Sequence, residues 1–176
     1  MFKNIYKKKK VLITGNTGFK GSWLTAWLIK LGANIVGISK DIPTNPSIFK
    51  ELKLEGQIKH YKEDIRDLSK MIDIISDEKP DFLFHLAAQP LVLTSYTNPI
   101  ETISSNVMGT ANILEAMKVL NNKCIALGFD DNLCQSILSW FCSNKCIAFG
   151  FSDNQSQYIL SGFCSNKCIA FRFNDN

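Results

Sequence analysis

Three glycines spaced three apart stand in the segment Gly15-Asn16-Thr17-Gly18-Phe19-Lys20-Gly21, between a short apolar run and a helical pattern. A glycine loop in that context suits one kind of chemistry, bringing backbone N–H groups up to a phosphate. Gly15 permits a tight turn out of the strand, Gly18 lets the backbone approach a pyrophosphate, and Gly21 lets the helix pack close to the strand. The free amides and the dipole at the helix start favour negative charge there. Spacing excludes a P-loop, because Lys20 is followed by Gly21 and not by Ser or Thr. The loop therefore predicts a dinucleotide site.

A loop of this kind works only if a strand and a helix hold it. Val11-Leu12-Ile13-Thr14 is a short β-prone run, and Ser22 to Leu31 carries Trp23, Leu24, Trp27, Leu28 and Leu31 at helical spacing before Gly32. Ile35 to Ile38 reads as a second strand, Ser47 to Leu54 as a short helix, and Ile58 to Tyr61 as a third strand. Leu68 to Ile75 marks a helix that stops near Pro80. Phe82 to Leu86 is a fourth strand, apolar throughout as a strand covered on both faces should be. Ile100 to Leu120 has Ile103, Val107, Ala111, Leu114 and Met117 at three- and four-residue spacing, a long helix. Strands alternating with helices predict an α/β fold, a Rossmann-type doubly wound parallel sheet incomplete at its C-terminal side.

The Gly-x-x-Gly-x-x-Gly spacing resembles the extended short-chain dehydrogenase/reductase superfamily, whose members include the NAD-dependent nucleotide-sugar epimerases and dehydratases. Asp64-Ile65, after the third strand, resembles the adenine contact of that family, a carboxylate for the amino group and a backbone N–H for the ring. Leu86-Ala87-Ala88-Gln89 resembles the His-x-Ala-Ala turn beside the nicotinamide ribose. Asn106-Val107-Met108-Gly109-Thr110 resembles the long helix whose asparagine buttresses the active site. Each has a plainer reading: Asp64 as a helix cap, Ala87-Ala88 as close packing, Asn106 as an ordinary polar helix residue. The stretches Gly15 to Leu24, Pro43 to Phe49 and Ala87 to Val92 are most similar in wording to the nucleotide-sugar 4,6-dehydratases.

That resemblance implies NAD as cofactor, a nucleotide sugar as substrate and a homo-oligomer. It also implies a reaction: hydride leaves C4 of the sugar, a base removes the C5 proton as water leaves from C6, and hydride returns to C6. The family performs it with a Tyr-x-x-x-Lys pair and an acid after the fifth strand. In these 176 residues only Tyr6 has a lysine at that distance, Lys10, and it precedes the first strand. Cys124 to Leu127 reads as a fifth strand by length, which puts Asp130 or Asp131 where the acid would fall, but Phe129 replaces the threonine before it. Leu93 and Thr94 stand where the family has an arginine. Catalysis is therefore expected to be lost with cofactor binding retained. The alternative is a non-catalytic dinucleotide-binding or interaction module. At the end of the second strand, Ser39 followed by Lys40 replaces the acidic residue that would hold the ribose hydroxyls, which leaves NADP open beside NAD.

Residues 9–120 form the expected NAD(P)-binding domain. After them Asn121-Asn122-Lys123-Cys124-Ile125-Ala126-Leu127-Gly128-Phe129 returns 22 residues later as Ser143 to Phe151, and again from Ser165 to Phe173. Residues 121–176 are read as a repeat tail, either disordered or foreign to the fold, arising from duplication or from a shifted reading frame. A solenoid is the other reading of such a period. The pairs Cys142/Cys146 and Cys164/Cys168 have a spacing zinc tolerates, but both follow from the repeat and no histidine accompanies them, so no metal is expected. The net charge of +4 is concentrated in Lys3 and Lys7 to Lys10, and the only arginines are Arg66 and Arg172, so no nucleic-acid partner is expected. The sequence has no apolar run long enough to span a membrane and no signal-like segment before the lysines. A cytoplasmic chain with reduced cysteines is expected.

Overall fold

The computed structural model describes residues 4–118, 124–129 and 146–150. Its strands are β1 (Lys10–Thr14), β2 (Asn34–Ile38), β3 (Lys59–Tyr61), β4 (Phe82–His85), β5 (Cys124–Phe129) and β6 (Cys146–Gly150). They form one sheet in the order β3-β2-β1-β4-β5-β6, with every neighbouring pair parallel. The helices are α1 (Phe19–Lys30), α2 (Ile48–Glu51), α3 (Leu68–Glu78), α4 (Val92–Thr97), α5 (Pro99–Ile103) and α6 (Gly109–Met117). A 3₁₀ turn spans Leu54–Gln57 and a π-helical turn, Ser104–Met108, joins α5 to α6. This is the doubly wound Rossmann-type sheet expected from the alternation of strands and helices.

The continuous apolar runs are explained by two cores, one on each face of the sheet. Leu12, Val36, Ile38 and Leu83 pack with Met71, Ile74 and Ile75 of α3 and with Ile113, Leu114 and Met117 of α6. On the other face Val11, Ile13 and Ile35 pack with Leu28 of α1. Alternate residues of β1 thus serve opposite cores, and no position between Lys10 and Thr14 is polar.

Local signals fix the helix ends. The Asp67 side chain accepts the Lys70 N–H at the start of α3, and Asn98 with Pro99 opens α5 in the same way. Two elements differ from the sequence reading. The first helix begins at Phe19, inside the glycine loop, and the long helix is interrupted by the π turn around Asn106. The sheet also runs past residue 120. Cys124–Phe129 and Cys146–Gly150, two copies of the repeat, lie side by side as β5 and β6. The other repeat residues, including Asp130, Asp131 and the Cys142, Cys164 and Cys168 positions weighed for metal, lie outside the described residues.

At the N-terminal end of the strands a carboxylate ties the sheet together. Glu78, nearly buried at the end of α3, accepts from Lys10 Nζ (2.9 Å), Lys59 Nζ (2.5 Å) and Tyr61 Oη (2.6 Å). Burial pushes the carboxyl pKa up, but the three donors outweigh it and hold the group at about 2. A folded-state pKa below the ordinary value means that the contribution to stability is full above about 4.5 and is lost as pH falls toward about 2. Glu78→Gln should therefore cost about 1–3 kcal/mol in urea unfolding at neutral pH. The gap from the unsubstituted chain should narrow when the measurement is repeated in acid.

Candidate dinucleotide site

The chain leaves β1 toward β2 and β3 on one side and returns to β4 on the other, so the crevice above β1 and β4 is a topological switch point. Four loops meet at that C-terminal edge: Gly15 to Gly18 after β1, Ser39 to Asp41 after β2, Lys62 to Arg66 after β3, and Leu86 to Gln89 after β4. All the cofactor residues expected from the sequence lie on these loops, on the start of α1 or on the π turn.

Gly15 has φ +71°, and a Cβ on it would stand 2.7 Å from the Ala87 backbone nitrogen, so the β1 and β4 loops touch backbone to backbone. At Gly21 a Cβ would run into the Gly15 carbonyl and the Asn16 Cα, so the helix can start this close to the loop only on glycine. Gly18 is different. It has φ −71° and ψ 173°, and a Cβ there would meet only the Gly15 carbonyl, at 3.4 Å. The fold places no steric demand for glycine at 18. No side chain caps α1 and no acidic residue lies in its first turn. That uncapped start is suited to phosphate.

Asn16 and Thr17 are buried and brace the loop against β2. Ser39 Oγ donates to Asn16 Oδ1 (2.6 Å) and accepts from Thr17 N–H (3.3 Å), while Thr17 Oγ1 donates to the Asp41 carbonyl (2.6 Å). Asn16 Nδ2, also buried, has no hydrogen-bond partner among the described residues. The Ser39 hydroxyl is thus engaged inside the protein, and Lys40 beside it is exposed with its ammonium 3.9 Å from Glu101. Phe19 and Lys20 stand exposed at the start of α1.

A buried polar chain, not singled out in the sequence, sets the β4 loop. Leu86 and Ala87 N–H both donate to Thr14 Oγ1 (3.2 Å each), and Thr14 Oγ1 lies 2.6 Å from His85 Nδ1. His85 Nε2 lies 3.0 Å from Thr110 Oγ1, which itself donates to the Asn106 carbonyl (2.6 Å). Thr110 spends its hydrogen on that carbonyl, so its oxygen accepts from Nε2–H, and Nδ1 accepts from Thr14. The imidazole is neutral. Burial lowers its pKa to about 4. The sequence signals only that Thr14 and His85 are polar ends of two apolar strands, and the parallel register then pairs them.

Asn106 takes both backbone groups of Gln89: Oδ1 accepts its N–H (2.7 Å) and Nδ2 donates to its carbonyl (3.1 Å). The Gln89 side chain is held by Thr102 (2.9 Å) and by Leu91, while Ala88 is exposed. At the β3 loop, Asn112 donates to the carbonyls of Ile65 (3.1 Å) and Arg66 (2.8 Å). Ile65 is buried against Gly109. Asp64 is gripped by Arg66 through Nε (3.0 Å) and a terminal nitrogen (2.6 Å), and Arg66 also reaches Glu101 (2.6 Å). The guanidinium holds the Asp64 carboxyl below its usual range.

A glycine loop and an uncapped helix at the switch point of a parallel sheet define a Rossmann-type fold, an architecture suited to dinucleotides. The family model of the GDP-mannose 4,6-dehydratases matches residues 12–128, and the chain belongs to that family of nucleotide-sugar 4,6-dehydratases. It is 44% identical over 138 residues to the CDP-glucose 4,6-dehydratase of Salmonella typhimurium, an alignment covering 78% of this chain and 38% of that enzyme. Among solved structures, the epimerase Mth375 of Methanothermobacter thermautotrophicus superposes with a TM-score of 0.63 at 29% identity over 72% of this chain and 37% of its own. MoeE5 in complex with UDP-glucuronic acid and NAD does so with a TM-score of 0.55 at 27% identity, over 69% and 36%. The chain spans less than two-fifths of the length of each of these relatives.

Two outcomes test the geometry. Gly21→Ala should destabilise the chain by about 2–3 kcal/mol, since the backbone must move to admit the methyl group. Gly18→Ala should change stability by no more than about 1 kcal/mol, as for alanine at a helix N-cap. Thermal unfolding of the two variants checks the contrast. For His85, a folded-state pKa lowered from 6.5 to about 4 means that the unfolded chain takes up a proton the folded one refuses. Stability should then fall through that window as pH drops, by up to about 1.4 kcal/mol per unit. His85→Gln should flatten that pH dependence.

Proposed function

We propose that this chain binds NAD across the switch point, as the cofactor half of a nucleotide-sugar 4,6-dehydratase acting on CDP-glucose. The observation that carries the reading is the uncapped start of α1 over Gly18, the one glycine of the loop for which the fold itself has no steric need. The pyrophosphate would lie on that helix start. Asp64 and the Ile65 backbone would face the adenine, and the turn Leu86 to Gln89, fixed by Thr14 and Asn106, would face the nicotinamide ribose. Bound there, NAD supplies hydride acceptance and return. The residues of this chain supply orientation.

The electrostatics favour NAD over NADP. A 2′-phosphate needs uncommitted cations near the end of β2, and two cations there already face carboxylates: Lys40 faces Glu101, and Arg66 faces Asp64 and Glu101. The Ser39 hydroxyl is likewise engaged with Asn16 and Thr17.

NAD at saturating concentration should raise the melting temperature, because a ligand that binds the native state stabilises it. NADP at the same concentration should raise it less. Gly18→Ala should weaken both shifts while lowering the unliganded melting temperature by no more than a few degrees. Glu101→Gln should narrow the difference between the two cofactors. No shift with either cofactor would overturn the reading, and a larger shift with NADP would overturn the cofactor assignment. No Tyr-x-x-x-Lys pair follows β4 in these 176 residues. Incubation with CDP-glucose and NAD should therefore yield no 4-keto-6-deoxy product, a result read separately from the melting shifts.

A further inference from the structure

Charged side chains alternate in sign beyond the ends of β2 and β3. Lys40 follows β2, Asp64 and Arg66 lie in the loop after β3, and Glu101 is on α5. The Arg66 guanidinium takes Asp64 edge-on. Its Nε lies 3.0 Å from each carboxylate oxygen and Nη2 lies 2.6 Å from Oδ2, while the Arg66 N–H donates to Oδ1 (3.0 Å). The other terminal nitrogen, Nη1, donates to Glu101 Oε2 (2.6 Å), and Glu101 Oε1 lies 3.9 Å from the Lys40 ammonium. Among the described residues Glu101 is the one partner of the guanidinium from outside the β3 loop. The loop backbone is held separately, by Asn112 on the Ile65 and Arg66 carbonyls. Glu101 thus fixes a side chain and not the loop.

We propose that Glu101 is a positioning residue: through Arg66 it fixes the direction in which Asp64 accepts, so that the site takes a 6-amino purine and rejects a 6-oxo purine. The inference rests on the reading in which Asp64 and the Ile65 backbone face the purine of a dinucleotide. An ionised carboxylate only accepts, and a backbone N–H only donates. Adenine offers the matching pair, an amino donor at C6 beside an acceptor at N1. Hypoxanthine reverses both, with an oxygen at C6 and a hydrogen on N1. Two acceptors then face each other, as do two donors, and polar groups left unmatched away from water are costly. The rejection works only while the carboxylate can neither turn nor become a donor. Bidentate pairing with Arg66 supplies direction as well as charge, which a lysine there would not. Arg66, with Lys40 behind it, also holds the Asp64 carboxyl below its usual range.

Calorimetric titration of the full chain with NAD and with nicotinamide hypoxanthine dinucleotide tests this. The unsubstituted chain should bind NAD at least ~10-fold more tightly than the hypoxanthine analogue. Glu101→Gln keeps the side-chain shape and removes its charge, and it should bring that ratio below ~3-fold. Arg66→Lys, which keeps the charge and loses the fork, should lower the ratio as well. A merely structural role for Glu101 would weaken both dinucleotides alike and leave the ratio unchanged, and that result would overturn the proposal. Equal binding of the two dinucleotides by the unsubstituted chain would overturn it too, with the dinucleotide reading intact. Binding of neither would sink that reading and this inference with it.

Discussion

The C-terminal edge of a parallel sheet is where its strands stop pairing, and the N–H groups that follow each strand must then find other acceptors. In this chain Thr14 meets that need for the β4 loop, taking the Leu86 and Ala87 amides on one hydroxyl oxygen. It can do so only because His85 accepts its proton, and His85 can accept only while Thr110 takes the proton on the other ring nitrogen. Three side chains from β1, β4 and α6 thus form one directional chain that ends on the Asn106 carbonyl. A second proton on the imidazole would face the Thr14 hydroxyl, whose oxygen already accepts two amides. This chain is complete, neutral and buried, and it fixes the β4 loop against the end of β1.

The segment from Pro99 to Met117 serves as a strut for both ends of the site. Asn106 clamps the backbone of Gln89 on the side of β4, and Asn112 clamps Ile65 and Arg66 on the side of β3. A regular α-helix would put residues six apart about 120° from each other around its axis. The π turn at Ser104–Met108 lies between the α5 and α6 portions, and Asn106 sits in it. Glu101, one turn earlier, fastens Arg66 and through it Asp64. The two loops expected to face opposite ends of a dinucleotide are therefore spaced by one rigid element.

The glycine loop, the four strands up to β4 and the main helices were legible in the sequence because period and punctuation act locally. Gly15 and Gly21 have the structural uses their spacing suggests, a tight turn and a close helix. Ser39 was less legible. Its place at the end of β2 suggested contact with the cofactor ribose, but its hydroxyl is turned onto Asn16 and Thr17, a choice set by where the loop from β1 lands. His85 read as the end of an apolar strand, and only the register with Thr14 and the arrival of Thr110 from α6 show what it does. The π turn had no sequence signal, since Ile100, Ile103 and Val107 fit a continuous helix as well as an interrupted one.

The repeat copies show why a tail boundary at residue 120 was the natural reading and why the sheet nonetheless continues. A strand that alternates polar and apolar residues has one usable register, because a slip of one residue turns its apolar set outward. Cys-Ile-Ala-Phe-Gly is apolar at every position, so it fits a sheet in either phase. The pairing reflects this: β6 meets β5 with Cys146 opposite Ile125, one residue away from alignment of the two copies. Such a sequence carries little information about where it belongs, and so looks foreign to a fold when read alone. The same lack of a preferred phase lets two successive copies pair in parallel as β5 and β6.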